Sequence, residues 1–524
     1  MQLNKIILFG FFILLLSLII AILRAWNISK ISIRNNEYKE NQFDLIIVGA
    51  GLSGLTAAYE ANRLTNNSLK ILLLEASPDY GGNSINEIDG INILIKDKKK
   101  HKKLKKDNFS SFYNDSFEFG QFAGDPDLLS ILVEKSQELY DFFINDLNIN
   151  ISNLIKIKSE GSRFPRTFTS NLTNITTGKY ISTSLYNKIK NISSTKILFN
   201  SHFIDLLIDS NHTIVHGVKY TQNFNNSKNF SAFSKAVILC TGGYGSDFYS
   251  NESILNESLV QLYYFPTFST KFTRGEGLKI ARNKGAELLD QRFGEIYPTC
   301  FVNFNDRYNR HKIILPDKMR ELGAIIINKR GKRFCDEMGN RRYVGQNILK
   351  NCDIATDPKI IKQYEAFIII NEDIKKNYGE EEIKDYINKG YLIKYKSFED
   401  FAKNMNISQY FNNIKKSVNN YNEASDNRYD SFGKKIFLHK FKMKEAIYVG
   451  IVTPCTFHTF GGVKITDECE IINTKDRIIS GLFAAGEIIG GIHGVMALQG
   501  NILTQAAVFG RIAAKSAIDY INKS

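Results

Sequence analysis

The stretch "DLIIVGAGLSGLTAAYEANRL", Asp44 to Leu64, followed by "LKILLLEAS", Leu69 to Ser77, decides the fold. Leu45–Val48 and Ile71–Leu74 are short apolar runs without alternation, as in strands buried on both faces of a parallel sheet. Gly49, Gly51 and Gly54 form GxGxxG at the turn into a helix-like run, with Ser53 inside the motif. The first glycine permits a tight turn, the second lets backbone approach a pyrophosphate, and the third lets helix pack on strand. Glu75 ends the second strand, where a carboxylate can accept hydrogen bonds from an adenosine ribose. A lone GxGxxG carries little. With strand before, helix after and acid at the next strand end, it predicts a Rossmann-like dinucleotide-binding unit in an α/β fold.

Outward from that unit, the chain of 524 residues is 43% hydrophobic and 12% aromatic, which excludes general disorder and suits a folded enzyme or binding protein. Half of the net charge of +14 comes from "KDKKKHKKLKK", Lys96 to Lys106, read as a solvated insertion loop. No aromatics interleave it for base stacking, so no nucleic-acid partner is expected. The cysteines at 240, 300, 335, 352, 455 and 469 show no ligand spacing, so no metal site is expected, and no CxxCH for c-type haem occurs.

The apolar run Ile6 to Leu23 is interrupted only by Gly10 and Ser17 and flanked by Lys5 and Arg24. It reaches the length of a membrane-spanning helix and no clear small-x-small site follows. The reading is one uncleaved N-terminal signal anchor, with a cleaved signal as the alternative, and hence a membrane-anchored protein of the secretory pathway, at the endoplasmic reticulum. Arg24, Lys30 and Arg34 follow the run while Lys5 precedes it, so the flanking charges leave orientation open.

Further along, "KAVILCTGGYG", Lys235 to Gly245, reads as a strand ending in glycines, and 295–455 shifts to charged, helix-like sequence. The chain closes with strands "GGVKI" and "GLFAAGE", the uncharged loop "GGIHGVMALQGN", Gly490 to Asn501, and a long helix. The expected organisation is anchor and linker over 1–42, nucleotide-binding domain over 43–294 and 456–524, and an inserted α+β capping domain over 295–455.

Taken in order, GAGLSG with Glu75, "GGNSINEIDGIN", "CTGGYG", "GEGLKIA", "HTFGGVKI", "GLFAAGEIIGGIHG" and "GNILTQAAVFGRIAA" resemble the fumarate reductase and succinate dehydrogenase flavoprotein family over about 43–518. The resemblance is greatest to soluble fumarate reductases, in which reduced FAD passes hydride to a carbon-carbon double bond. It implies FAD, with Gly82, Asn83 and Ser84 approaching the flavin, and Gly242 and Gly243 near the same ligand. Ala485, Gly486 and Glu487 would hold ribityl and pyrophosphate. Gly500 and Asn501 would open the last helix beneath the flavin, its positive dipole end favouring the reduced, anionic ring.

The resemblance also exposes departures. An Arg that clamps a substrate carboxylate in fumarate reductases is here Ala497, and bidentate Arg-carboxylate bonds have no substitute in alanine. The family's HPT is Tyr297, Pro298, Thr299, and its Thr-Glu pair is Pro316, Asp317. "GKRFCDEMGNRR" keeps Arg341 at the proton-donor position, with Arg320 and Asp317 as its relay; His458 matches a histidine that binds the second carboxylate. The resemblance thus implies catalytic Arg341, Asp317, Arg320 and His458, and substrate contacts at Tyr297, Thr299 and His458. Arg166 matches a PRT segment without an assigned role. Three readings stand: a reductase of an activated double bond other than fumarate, fed by reduced flavin or a partner protein; a urocanate reductase-like enzyme, against which Ala497 counts; and a catalytically degenerate FAD-binding protein.

Overall fold

The computed structural model describes residues 41–95, 107–172, 175–222, 228–248, 250–355 and 362–524. The expected membrane span at 6–23 and the lysine run at 96–106 lie outside them. Among the described residues, no helix is long and apolar enough to cross a membrane.

Strand β1 (Leu45–Val48) leads through the glycine turn into helix α1 (Leu52–Leu64), and β2 (Ile71–Leu74) returns parallel to β1. Every residue of β1 and β2 is buried, which is why neither alternates. The chain then adds β3 (Thr195–Leu198) and β4 (Ala236–Leu239). It departs into a second lobe through β5 (Gly294–Val302), β6 (Ile313–Ile314), helix α2 (Asp317–Glu321), β7 (Ile325–Ile327), helix α3 (Arg341–Asn351), β8 (Ala366–Asn371) and β9 (Ile447–Thr459). It returns with β10 (Glu470–Ile472), β11 (Ile478–Ala484) and helix α4 (Asn501–Lys523). The nucleotide-side sheet has the order β10-β11-β4-β1-β2-β3, with β1 between β4 and β2 in parallel register. Helix α4 packs on α1, where Gly510 faces the Ser53 backbone closely enough that a Cβ would lie 2.7 Å from its carbonyl oxygen.

The second lobe is an antiparallel sheet of order β6-β5-β9-β8-β7 covered by helices. It has its own apolar core, including Ile326, Ile368, Phe401 and Val449, separate from the core around β1. Strand β9, buried along its whole length, begins in that lobe and ends at Thr459 beside the nucleotide domain. Gly294 pairs with Thr459 and Tyr297 with Cys455, so β5 and β9 together carry side chains from one lobe to the junction. A disulfide between Cys300 and Cys455 ties the two strands there, against a small cluster containing Tyr297 and Phe457.

Candidate active site

Gly49 has φ +107° and its absent Cβ would lie 2.2 Å from the Cys240 carbonyl oxygen; one on Gly54 would lie 1.8 Å from the carbonyl oxygen of Gly49. Gly51 is different, with the nearest protein atom 3.9 Å from the Cβ position, so its bare face is left open to the cleft in front of it. Glu75 is fixed at the strand end by two backbone donors, Ala50 N at 2.7 Å and Ser77 N at 2.8 Å, one to each carboxylate oxygen.

This cleft, with about 1020 Å³ of empty volume, is long enough in its lining for an extended dinucleotide. It runs from Glu75 past Gly49, Gly51 and Ser53 to Gly82, Asn83, Ser84, Gly242, Gly486 and Glu487, and ends at Glu87 and His458. Thr241, also on its wall, has a buried hydroxyl without a protein partner, a group that a ligand can satisfy. Gly243, Ala485, Gly500 and Asn501 do not reach the wall. Asn501 instead donates to Ser116 Oγ at 3.0 Å and accepts from Asn92 at 2.8 Å, leaving Ile502 and Leu503 of α4's first turn to face the cleft. A Cβ on Gly243 would strike Thr459 Oγ1 and Glu487, so that glycine serves a close approach of the loop after β4 to the end of β9.

At the far end His458, delivered by β9, sits between two carboxylates: Nε2 is 3.1 Å from Glu87 Oε2 and Nδ1 is 3.8 Å from Glu487 Oε1. These are ion-pair distances off the line of a hydrogen bond. Burial pulls the imidazole's pKa down, but Glu487 and Glu87 overcome it and hold His458 up at about 10. Burial raises Glu87, yet His458, aided by the Asp89 amide and Arg341, brings it below the usual carboxylate range. Glu487 Oε1 also accepts from Thr459 N at 3.1 Å.

Next to this pair lies the arginine cluster. Asn340 caps α3 by accepting from Tyr343 N, which places Arg341 as the first helical residue. A cation there opposes the helix dipole and needs compensation. Two carboxylates supply it. Asp89 takes both terminal nitrogens of the guanidinium, Nη1 at 2.6 Å and Nη2 in a short contact, while Asp317 Oδ2 takes Nε at 3.0 Å and Nη2 at 2.9 Å. The guanidinium also lies 4.7 Å from the Tyr297 ring and 5.5 Å from that of Phe457. The short helix α2 sets Arg320 one turn after Asp317, and Arg320 pairs with the other oxygen of Asp317 while donating to the Glu337 carbonyl at 2.7 Å. Burial would raise Asp317, but Arg341 and Arg320 hold it far below the usual range; burial would lower Arg341, but Asp89 and Asp317 hold it well above.

Tyr297 and Thr299, expected to touch substrate, are both fully buried and line neither cleft. Tyr297 directs its hydroxyl at Asp317 Oδ1, 2.7 Å away, so it positions the relay acid, and the Thr299 hydroxyl has no partner. Arg166 is a structural residue: it is sealed beneath Phe112 and paired with Asp107 and Asp115.

A second cleft, with about 870 Å³ of empty volume, opens beside Asp317, Arg320, Glu160 and Gln499. Gln499 Nε2 donates to Asp89 Oδ1 at 3.2 Å and its Oε1 accepts from Glu160 N at 2.9 Å. The Asp89–Arg341 pair lines neither cleft itself and joins the two lobes behind the second one.

Several of these residues escaped sequence reasoning. Glu87 and Asp89 stood in plain view within "GGNSINEIDGIN", and two acids in a flavin-facing turn were the available signal. Glu295 on β5 is also new: it is buried, and burial outweighs Arg341 and His458 to raise it to about 7. Behind the arginines, Glu337 accepts from Arg333 at 2.8 and 2.9 Å and from Lys434 at 2.9 Å, all three buried, and this network braces the loop leading to Arg341.

A family described as "FAD binding domain" matches residues 44–503. The chain is 29% identical over 493 residues to a fumarate reductase of Schizosaccharomyces pombe, covering 93% of this chain and 91% of the relative. It is 27% identical to fumarate reductase 1 of Saccharomyces cerevisiae, covering 90% and 98%. A solved flavocytochrome c3 fumarate reductase in an open conformation superimposes with a TM-score of 0.76 at 25% identity, covering 92% of this chain and 79% of that one.

Proposed function

The chain belongs to the FAD-binding family of fumarate reductase and succinate dehydrogenase flavoproteins and is an FAD-dependent oxidoreductase acting on CH–CH bonds, and from that premise we propose that it reduces an activated carbon-carbon double bond with Arg341 as proton donor. The residues present fit FAD: Glu75 closes the second strand on the cleft wall, Gly51 is bare toward the cleft, and the first turn of α4 faces the same cleft. Bound and reduced, FAD supplies the hydride.

The observation that carries the proposal is the unbroken chain Arg341, Asp317, Arg320 on the inner side of the second cleft. Arg341 lines neither cleft; it is bonded to Asp317 of the second and to Asp89, whose amide donates to Glu87 of the first. Asp317, bonded to its Nε and Nη2, is the group through which a proton returns to it from the outer cleft. An arginine is a weak acid at neutral pH, and its two carboxylates make it weaker. It therefore gives up its proton only to a strongly basic carbon, the one that forms as hydride arrives at its neighbour. His458, held protonated, polarises the group that activates the double bond. Burial of Arg341, Asp89 and His458 keeps water from competing for that proton.

Ala497 argues against fumarate as the substrate, because among the described residues lining either cleft the one arginine is Arg320, already paired with Asp317. Electrons come from outside the chain, from reduced flavin or a partner protein. We place the enzyme on the secretory route, anchored through residues 6–23. The Cys300–Cys455 disulfide supports this, since such crosslinks persist in oxidising compartments.

The test is anaerobic stopped-flow of the protein with its FAD chemically reduced, following flavin reoxidation on mixing with a panel of enoates and enones. Reoxidation lost in Arg341→Ala with FAD still bound supports the proposal. Reoxidation by none of the panel leaves the degenerate flavoprotein as the better reading.

A further inference from the structure

Among the described residues, the three buried cations of this site are matched by the protein's own carboxylates. Arg341 pairs with Asp89 and Asp317, Arg320 with Asp317, and His458 with Glu87 and Glu487. The groups facing these three cations are thus four paired carboxylates, with Glu295 and Glu160 as two further acids nearby. Among the described residues lining either cleft, the cations are His458, Arg320 and Lys158, and Lys158 is exposed at the outer cleft. Ala497 is buried and adds none.

We propose that the substrate of this site carries no carboxylate, and that Glu87 and Asp89 are the residues that exclude one, restricting the enzyme to an uncharged double bond such as that of an enone or an unsaturated ester. This rests on the reading of the site as a double-bond reductase. A substrate carboxylate entering between the clefts would meet acids that outnumber the cations. To gain a partner it must displace Asp89 from a bidentate guanidinium or Glu87 from His458, and leave that acid buried and unpaired. An uncharged acceptor meets neither cost. Its activating carbonyl oxygen needs a donor rather than a counter-ion, and His458, whose two ring nitrogens are off-line to their carboxylates, can turn an N–H toward it. Asp89 adds a second effect: it joins the loop after Ser84 to α3 across 252 residues, so the same pair that repels anions holds the lobes together over the flavin end.

The test uses three ligands with one carbon skeleton and none, one or two negative charges: dimethyl fumarate, monomethyl fumarate and fumarate. The four free cysteines are buried, so Michael addition to thiols does not compete. Each ligand is titrated into the oxidised holoenzyme while the flavin absorption band is followed, which reads binding without turnover. The expected affinity order is diester, then monoester, then fumarate. Glu87→Gln and Asp89→Asn, near-isosteric changes first checked for stoichiometric FAD, are each expected to tighten fumarate by about tenfold or more, with the diester changed by less than about threefold. If Asp89→Asn does not hold FAD, Glu87→Gln carries the test. Fumarate binding as tightly as the diester to the wild type, or unimproved in the variants, overturns the inference, as does absence of binding by all three ligands. The expected order without reoxidation of reduced flavin by any of them would defeat the reductase reading and leave the charge selection standing.

Discussion

Replacing Glu337 with glutamine tests whether the brace behind Arg341 stabilises the second lobe. The side chain is fully buried, as is that of Lys434, and it accepts from Arg333 twice and Lys434 once. Burial raises its pKa, but Lys434 and Arg333 outweigh that and bring it from the usual 4.5 to about 2. At about 1.4 kcal/mol per unit, a displacement of that size is worth roughly 3 kcal/mol of stability at neutral pH. Breaking a buried pair by removing one member costs a similar amount, about 3–5 kcal/mol. Glu337→Gln should therefore lose about 3–5 kcal/mol in urea unfolding at pH 7. The sign of the pH dependence follows from the depressed pKa. The stabilisation is present above about 4.5 and lost as pH falls toward 2, so the gap to wild type should shrink at pH 3, its titrating part to about 1 kcal/mol. Because the Glu337 carbonyl holds Arg320, flavin reoxidation should slow as well. A variant within about 1 kcal/mol of wild type at pH 7, or a gap unchanged down to pH 3, would refute the reasoning.

Three further outcomes are expected. Gly54→Ala forces a Cβ to 1.8 Å from a backbone oxygen and should prevent folding, whereas Gly51→Ala, with 3.9 Å of room, should fold but bind FAD at least about tenfold more weakly; circular dichroism and flavin fluorescence separate the two. Tyr297→Phe removes the hydroxyl on Asp317 and should slow reoxidation with little change in ligand affinity, by about 1–2 kcal/mol in the barrier; an unchanged rate argues against its positioning role. His458, raised to about 10, contributes stability that is complete below about pH 6.5 and lost as pH rises through 10, so the stability gap between wild type and His458→Gln should narrow over that window; a gap that widens with pH contradicts a protonated histidine.

Whether a feature is legible in the sequence depends on whether it is local. The first βαβ unit was legible because its signals, two unalternating apolar runs and three glycines at fixed spacing, are satisfied within Leu45–Leu74 by local backbone demands that the structure repeats. The inserted lobe was legible as a shift in composition, but its sheet was not, since β5, β8 and β9 pair over separations that no periodicity encodes. The site divides the same way. Asp317 and Arg320, three residues apart, face each other as one helical turn requires. Asp89 and Arg341 are 252 residues apart, and nothing in either segment announces the other. Reading "GGNSINEIDGIN" for its glycines found the backbone approach to the cofactor and passed over its acids, because an acid in a turn ordinarily faces water. Here the turn lies under the second lobe, and both acids are buried counter-ions, Asp89 of Arg341 and Glu87 of His458. Ala497, where the resemblance implies an arginine, and the buried Glu87 and Asp89 then bear on charge in the same direction: the first leaves a substrate carboxylate without a clamp, and the other two occupy the cations that would otherwise receive it.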